Sequence, residues 1–511
     1  NIHIMIISLI KILFLFFVCV YSDPIPDTSD KCLSCQDQVK SLEYIWTNAT
    51  TVEEILNNLN SECKSTFPIT NPMKRQVCEG LASIFVQIPP SLFKGMDDLA
   101  WPIPEAPCAL LMQCQMNCCG ESDPPEQVHL SLASDDYSVM GVSWVTLSSK
   151  RSIVQYGLSE SSLTKIVSGD TTTYRASGWV GTIHRAKMTG LEYGTKYYYR
   201  VGNGYDSWSD IFYFTTMTPF QDVTYAVLAD MDFDSSNTIS NLIDLVSSDS
   251  IDVVIHSGDI SYADGYEPHW DLFFNRMQPI VAYVPYMVTP GNHEFWFNFT
   301  SYKKRFYLPG VLDEGGSGDG MYYSWNCGKT HFIAGNSETA IDTANFSTNF
   351  INWLENDLKS VDRELYPWVV AHFHRPFYCS NSNACTTKGG NTLRSEAEQL
   401  FYDYKVNIGL YGHVHSYERT YPLYNSTTVQ FNYENPQGTV YILQGGSGNR
   451  EGNDGYPTEL PDWSSHRESA VGYGIMTIKD SIITFDYYES RLSSDGGPIL
   501  LDSFDMTTWG N

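Results

Sequence analysis

Gly258-Asp259-Ile260-Ser261-Tyr262-Ala263-Asp264 comes just after Asp252-Val253-Val254-Ile255-His256, a short apolar run closed off by polar residues. A run of that length, rich in β-branched residues and without alternation, reads as a strand buried on both faces. The same grammar recurs on either side. Thr224 to Ala229 runs into Asp230, Tyr286 to Thr289 into Gly291-Asn292-His293-Glu294, Trp368 to Phe373 into His374, and Asn407 to Tyr411 into Gly412-His413-Val414-His415. Runs at His331 to Ala334 and Thr439 to Leu443 complete the series, with helical or loop stretches between them. Strands alternating with such stretches predict an α/β domain, whose sites form just past the carboxyl ends of the strands. Turns alone would explain Gly, Asp and Asn at those positions, but not the repeated His.

Together the strand ends offer carboxylates, an amide, imidazoles and a phenol, a donor mixture suited to Fe, Zn or Mn rather than to a soft thiolate site. His413 and His415, two apart, point the same way on an extended segment and can flank a metal pair. A single His-x-His is a weak signal, whereas five such strand ends in order are a strong one. GDISYAD (Gly258 to Asp264), GNHE (Gly291 to Glu294) and GHVHSYERTYP (Gly412 to Pro422) resemble the calcineurin-like metallophosphoesterases, and more closely the purple acid phosphatases. The resemblance extends from about Glu126 to the C-terminus. It implies that Asp230, Tyr262 and His415 hold a trivalent iron and that Asp259 bridges two metals. It also implies that Asn292, His374 and His413 hold a divalent Zn, Fe or Mn, and that His293 faces the phosphate as the catalytic group. A free phenol titrates near pH 10, so Tyr262 ligates as phenolate only beside a strong Lewis acid such as Fe(III). The implied reaction is hydrolysis of phosphate monoesters by a metal-bound hydroxide.

Two departures from that pattern matter. Ala229-Asp230-Met231-Asp232 stands where the family usually has Gly-Asp-x-Gly, which makes Asp232 a candidate extra carboxylate. After His374-Arg375-Pro376, the further His pair of plant-type members is missing from Tyr378 to Asn383, so the proton donor is unassigned. The His-x-Pro register favours His374 over His372 as ligand, and His256 and His269 read as supporting residues.

Upstream, short alternating segments at Val128 to Leu132, Val139 to Val145, Ile153 to Tyr156, Tyr197 to Val201 and Ile211 to Thr215 predict a β-sandwich. Leu191 to Tyr197 resembles the tyrosine corner of a fibronectin-type or immunoglobulin-like domain. No chemistry is expected there, and His129, His184 and Tyr197-Tyr198-Tyr199 read as core or interface residues.

The N-terminal part differs in kind. Lys11 followed by an apolar run from Ile12 to Val20 reads as a secretory signal peptide, too short for a span of ~20 residues. Of twelve cysteines most crowd between Cys32 and Cys119, the usage of an oxidising compartment. Helically spaced apolar residues such as Val39, Leu42, Ile45 and Trp46 predict amphipathic helices there. The cysteine order resembles the saposin-like family, which implies Cys32–Cys114, Cys35–Cys108 and Cys63–Cys78, although six cysteines allow fifteen pairings. Saposin-like domains commonly bind lipids, so contact with a lipid or membrane surface is one reading, and a docking or folding module the other. Cys379 and Cys385 are expected to form a local disulfide. Cys118, Cys119 and Cys327 remain over, which leaves a disulfide-linked homodimer open. Sequons at Asn48, Asn298, Asn345 and Asn425 fit the secretory route.

The 511 residues, at roughly 150 per domain, make about three domains. The expected organisation is a signal peptide (1–22), a disulfide-rich α-helical saposin-like domain (23–121), an all-β fibronectin III-like sandwich (122–220) and an α/β metallophosphoesterase domain with four α/β/β/α layers (221–511). With 31 Lys and Arg against 59 Asp and Glu, the net charge of −28 argues against nucleic acid and anionic membranes as main partners. The reading is therefore a secreted or lysosomal acid phosphatase acting on a phosphate ester. The alternatives are a lipid phosphodiesterase like acid sphingomyelinase, or a lipid-binding protein whose catalytic domain is inactive.

Overall fold

Alternation in the stretch after Pro125 does produce a sandwich. One sheet runs Glu126–Ser131, Met140–Thr146, Thr182–Met188, Asp170–Thr172, and the other Phe212–Thr215, Lys196–Gly202, Ile153–Gly157, Lys165–Ser168. Val128, Leu130, Val142, Trp144, Tyr199 and Phe214 fill the space between them. The backbone N–H of Glu192 donates to Tyr197 Oη at 3.0 Å, the contact expected of the tyrosine corner. The computed structural model describes residues 116–117, 123–148, 150–311, 316–338, 348–381 and 388–509. The expected signal peptide and the expected saposin-like helices with their three bridges, together with Asn48, Asn345 and Cys385, lie outside the described residues.

The chain divides into two compact units, one of Asn1–Asn117 with Ser177–Val180 and one of Cys118–Ala176 with Gly181–Asn511. In the first, Met116–Asn117 pairs in parallel with Trp179–Val180. The second unit contains both the sandwich and the α/β layers, and a single apolar core runs through them.

Two mixed sheets form the α/β part. The first has the order Tyr286–Thr289, Val253–Ser257, Val223–Leu228, Gly472–Ile478, Ile482–Glu489, Ile499–Thr507, of which the first three strands are parallel. The second has Tyr323–Cys327, Thr330–Ala334, Trp368–His372, Ile408–Tyr411, Val440–Gln444, Tyr417–Thr420, Ser464–Glu468, parallel from the second strand to the fifth. Strand alternation sorts the residues of this second sheet. Val370, Ile408, Leu410, Val440 and Ile442 face the core shared with the first sheet. Val369, Ala371, Tyr411, Tyr441 and Leu443 face helices Thr348–Ser360 and Lys388–Asp403 through Phe350, Leu354, Leu393 and Phe401. Helices Ser236–Ser247 and Pro268–Val281 join the shared core through Ile239, Leu242, Phe273 and Phe274. A strand buried on both faces must be apolar at every position, which is why these segments showed no alternation in sequence.

Buried polar contacts hold the sandwich against the α/β layers. Arg305 donates from Nη1 to Gln127 Oε1 (2.8 Å) and from Nη2 to Asp271 Oδ1 (2.9 Å), and Tyr174 Oη donates to Glu267 Oε2 at 2.6 Å. Cys327 is a fully buried free thiol, so it cannot form the intermolecular bridge that the cysteine count had left open to it.

Candidate metal centre

Every ligand expected from the sequence lies just beyond the carboxyl end of a parallel strand. Asp230 follows Val223–Leu228, Asp259 and Tyr262 follow Val253–Ser257, and Asn292 follows Tyr286–Thr289. His374 follows Trp368–His372, while His413 and His415 follow Ile408–Tyr411. The backbone there is strained: Asp230, Asp259, Tyr262 and His413 all have left-handed φ, of 57°, 51°, 50° and 73°. Non-glycine residues hold that conformation only where their surroundings enforce it, and such outliers gather at functional sites. Glycines allow the close approach. A Cβ on Gly291 would sit 2.1 Å from Asp259 Oδ1, and one on Gly412 would sit 2.3 Å from Asp230 Oδ2.

Ligating atoms of Asp259, His374 and His413 lie within 4.8 Å of one another. His374 Nδ1 is 3.0 Å from the Ser257 carbonyl, so it carries the proton and donates, which leaves the Nε2 lone pair facing Asp259 Oδ2 (3.0 Å) and Asn292 Oδ1 (3.1 Å). On the other side, His415 Nδ1 meets the Gly452 carbonyl at 3.0 Å, and its Nε2 lies 3.1 Å from Tyr262 Oη and 3.5 Å from Asp230 Oδ1. Imidazole nitrogens and carboxylate oxygens that converge on one buried point either share protons or bind a cation. This donor set, hard oxygens with borderline nitrogens, therefore fits a pair of Fe, Zn or Mn ions.

Titration gives the same picture. Burial pushes the Asp230 carboxyl up. Burial would do the same to Asp259, but His374 and His293 outweigh it and hold that carboxyl well below the usual range. Burial, then the charges of Asp230, Asp259, Glu451 and Glu294, push the Tyr262 phenol well above its ordinary value, so only a strong Lewis acid would ionise it.

His293 is set into the same site. Its Nδ1 lies 2.6 Å from Asp264 Oδ1 and its Nε2 3.8 Å from Asp259 Oδ2 and 3.6 Å from Glu451 Oε1. Burial opposes its charge, but Asp259, Asp264 and Glu451 prevail and raise its pKa to about 10. Glu294, buried, ties the loops together by accepting backbone N–H bonds from Asp259 (2.9 Å), Ile260 (3.0 Å) and Gly291 (2.8 Å).

Asp232 does not join the ligands. Its Oδ2 pairs with Arg450 Nε at 2.7 Å, and Arg450 Nη2 donates to the Tyr262 carbonyl at 2.5 Å. The expected extra carboxylate thus anchors the loop that carries Glu451 and the Gly452 carbonyl. His372 is fully buried beside Trp325, and His256 shares a hydrogen bond with Tyr286 Oη at 2.6 Å and lies close enough to Asp259 and His374 to feel their charges. His269 lies 3.1 Å from Arg450 Nη2. Of the other expected positions, Asn298 and Asn425 are exposed, and Cys379 is disulfide-bonded.

Sequence reading missed Arg375, Glu338 and Glu451. Arg375 donates from Nε to both carboxylate oxygens of Glu338 (3.0 and 2.8 Å), approaches His413 Nε2 with Nη1 (2.7 Å), and reaches toward Asn292 Oδ1 with Nη2 (3.4 Å). The strand-end rule would have found Glu338, which follows Thr330–Ala334. Arg375 is a cation next to a ligand in a chain short of cations.

Three family models match in series: "Purple acid Phosphatase, N-terminal domain" over 125–216, "Calcineurin-like phosphoesterase" over 223–417, and "Iron/zinc purple acid phosphatase-like protein C" over 438–502. Acid phosphatase type 7 of Danio rerio is 34% identical over 381 residues, covering 68% of this chain and 84% of that protein. The chain belongs to the purple acid phosphatase family. Purple acid phosphatase 18 of Arabidopsis thaliana is 35% identical over 369 residues, covering 70% of this chain and 80% of that protein. Among solved structures, the yellow lupin purple acid phosphatase PPD1 superposes with a TM-score of 0.66 at 26% identity, covering 75% of this chain and 74% of that one. The family's sandwich and metallophosphoesterase layers are thus both present here.

Proposed function

We propose that this chain is an acid phosphatase that hydrolyses phosphate monoesters. Asp230, Tyr262 and His415 would hold a trivalent iron, Asn292, His374 and His413 a divalent Zn, Fe or Mn, and Asp259 would serve both. The convergence of His374 Nε2, Asp259 Oδ2 and Asn292 Oδ1 on one buried point supports this reading most directly. Bound there, the metals would supply Lewis acidity to the phosphoryl oxygens and to the attacking water. The chain's own residues do the rest. Asp264 accepts from His293 Nδ1–H and so turns Nε2 toward the site, where it can donate a proton to the departing alkoxide. Glu294 holds the Asp259 and Gly291 loops in register, and the Ser257 and Gly452 carbonyls keep His374 and His415 in the ligating tautomer.

The exposed Asn298 and Asn425 and the disulfide at Cys379, with Cys385 its proposed partner, support passage through an oxidising route to a secreted or lysosomal location. Residues 23–121 are proposed as a saposin-like domain that contacts a lipid surface, on the strength of their cysteine order.

The test compares hydrolysis of a simple phosphomonoester with that of sphingomyelin at acidic pH, using the secreted, glycosylated protein. Strong monoester turnover with little lipid cleavage is expected. The reverse ratio would replace the phosphatase with a lipid phosphodiesterase.

A further inference from the structure

We infer that Arg375 reads the charge of the substrate's phosphoryl group and sets the preference for dianionic monoesters over monoanionic diesters; this rests on the phosphatase reading above. Arg375 follows His374 directly, and its side chain is only 10% exposed. The guanidinium is pinned along one edge. Nε donates to both oxygens of Glu338, a fully buried carboxylate, while Ser337 Oγ donates to Glu338 Oε1 (3.0 Å) and accepts the Arg375 backbone N–H (2.9 Å). The other edge points at the ligands of the divalent subsite, with Nη1 2.7 Å from His413 Nε2 and Nη2 3.4 Å from Asn292 Oδ1.

That outer edge lacks a durable partner. A neutral imidazole has one lone pair. If His413 gives it to a metal through either nitrogen, Nε2 has nothing left with which to accept from Arg375. Asn292 Oδ1, at the limit of hydrogen-bond distance and a proposed ligand itself, is no substitute. Among the described residues, no carboxylate or backbone carbonyl contacts either Nη. Buried guanidinium N–H groups left without acceptors are costly, and an oxyanion facing the two Nη groups removes that cost. The anion that enters this site is the phosphoryl group. A monoester offers three non-bridging oxygens and up to two charges, whereas a diester offers two oxygens and one charge, so a fixed fork gains more from the monoester.

The experiment uses the metal-loaded, full-length enzyme with 4-nitrophenyl phosphate, bis(4-nitrophenyl) phosphate and inorganic phosphate as an inhibitor, and includes metal analysis. Arg375→Gln is expected to lower kcat/KM on the monoester about 10- to 100-fold, the range for a hydrogen bond to a charged group. It should weaken inhibition by phosphate to a similar degree, lower diester turnover far less, and leave metal content unchanged. Arg375→Lys, which keeps the charge but not the fork, should recover part of the loss. Glu338→Gln leaves Arg375 in place but loosens it, and should shift the monoester-to-diester ratio in the same direction; it decides the matter if Arg375→Gln does not fold. Equal losses on both substrates, unchanged inhibition by phosphate, or loss of bound metal would each overturn the assignment. Failure of the phosphatase reading looks different, because the wild-type enzyme would then prefer the diester before any substitution is made.

Discussion

Buried histidines occur in both the sandwich and the α/β layers, and their surroundings differ in one respect. In the sandwich, His184 stacks on Trp144 (5.1 Å between centroids) with Nε2 2.7 Å from Thr146 Oγ1 and Nδ1 2.8 Å from Ser152 Oγ. Uncharged neighbours occupy both nitrogens, so no lone pair is left to offer. At the strand ends, His374 and His415 each spend Nδ1 on a carbonyl and aim Nε2 at carboxylate and phenol oxygens. Burial alone does not mark a functional imidazole. What marks it is an Nε2 turned by the carbonyl at Nδ1 toward carboxylate and phenol oxygens, where it can share a proton or bind a cation.

The largest effect should come from emptying the strand-end cluster of its central carboxylate. Asp259→Ala is expected to lower phosphomonoester turnover on the order of 10³-fold, comparable to removing a key electrostatic group from other active sites. Bound metal should fall with it while circular dichroism stays native; retained turnover would break the distinction drawn above.

Acid should destabilise the sandwich. Burial pushes both His129 and His184 down to about 4 from an ordinary value near 6.5. Their folded forms are therefore neutral where the unfolded chain already binds protons, so their contribution to stability is complete above about pH 6.5 and is lost as pH falls toward 4. Each group accounts for up to roughly 3 kcal/mol over that window, and thermal unfolding between pH 7 and pH 4.5 would show it. A melting temperature that rises as pH falls would contradict the assignment.

His184→Ala should cost about 1–3 kcal/mol in denaturant unfolding, from lost hydrogen bonds and a cavity against Trp144. Activity per folded molecule should stay at the wild-type level. The smallest effect is expected for Asp232→Asn, which weakens a partly exposed pair with Arg450. A loss of about 1 kcal/mol or less in transition-state stabilisation, seen as a few-fold fall in kcat/KM, is the expected outcome; loss of bound metal would instead make Asp232 a ligand.

The strands past Pro125 that carry the expected ligands were legible to within a residue or two, because a strand buried on both faces is a continuous apolar run. Val253–Ser257 and Ile408–Tyr411 are examples. The antiparallel strands Ile482–Glu489 and Ile499–Thr507 were not recognised. They alternate buried with half-buried or exposed residues, carry Asp486, Asp502 and Asp505, and form a sheet only because Gly472–Ile478 pairs beside Val223–Leu228. All the expected ligands meet in the folded chain, whereas the roles of Arg375, Glu338, Arg450 and Asp232 could not be read from their positions in the sequence.

From the sequence alone came the residue types at five strand ends, and with them the chemistry, since the ends of neighbouring parallel strands of one sheet lie near one another; only the packing of the two sheets joined the two sets. Only the tertiary structure decided which charges neutralise each other. Asp232 and Arg450 lie 218 positions apart and Glu338 and Arg375 lie 37 apart, and no local rule of propensity or periodicity couples such distances. Folding brought one carboxylate to a loop arginine and the other to a guanidinium beside the expected ligands, because a buried charge must find a partner of opposite sign.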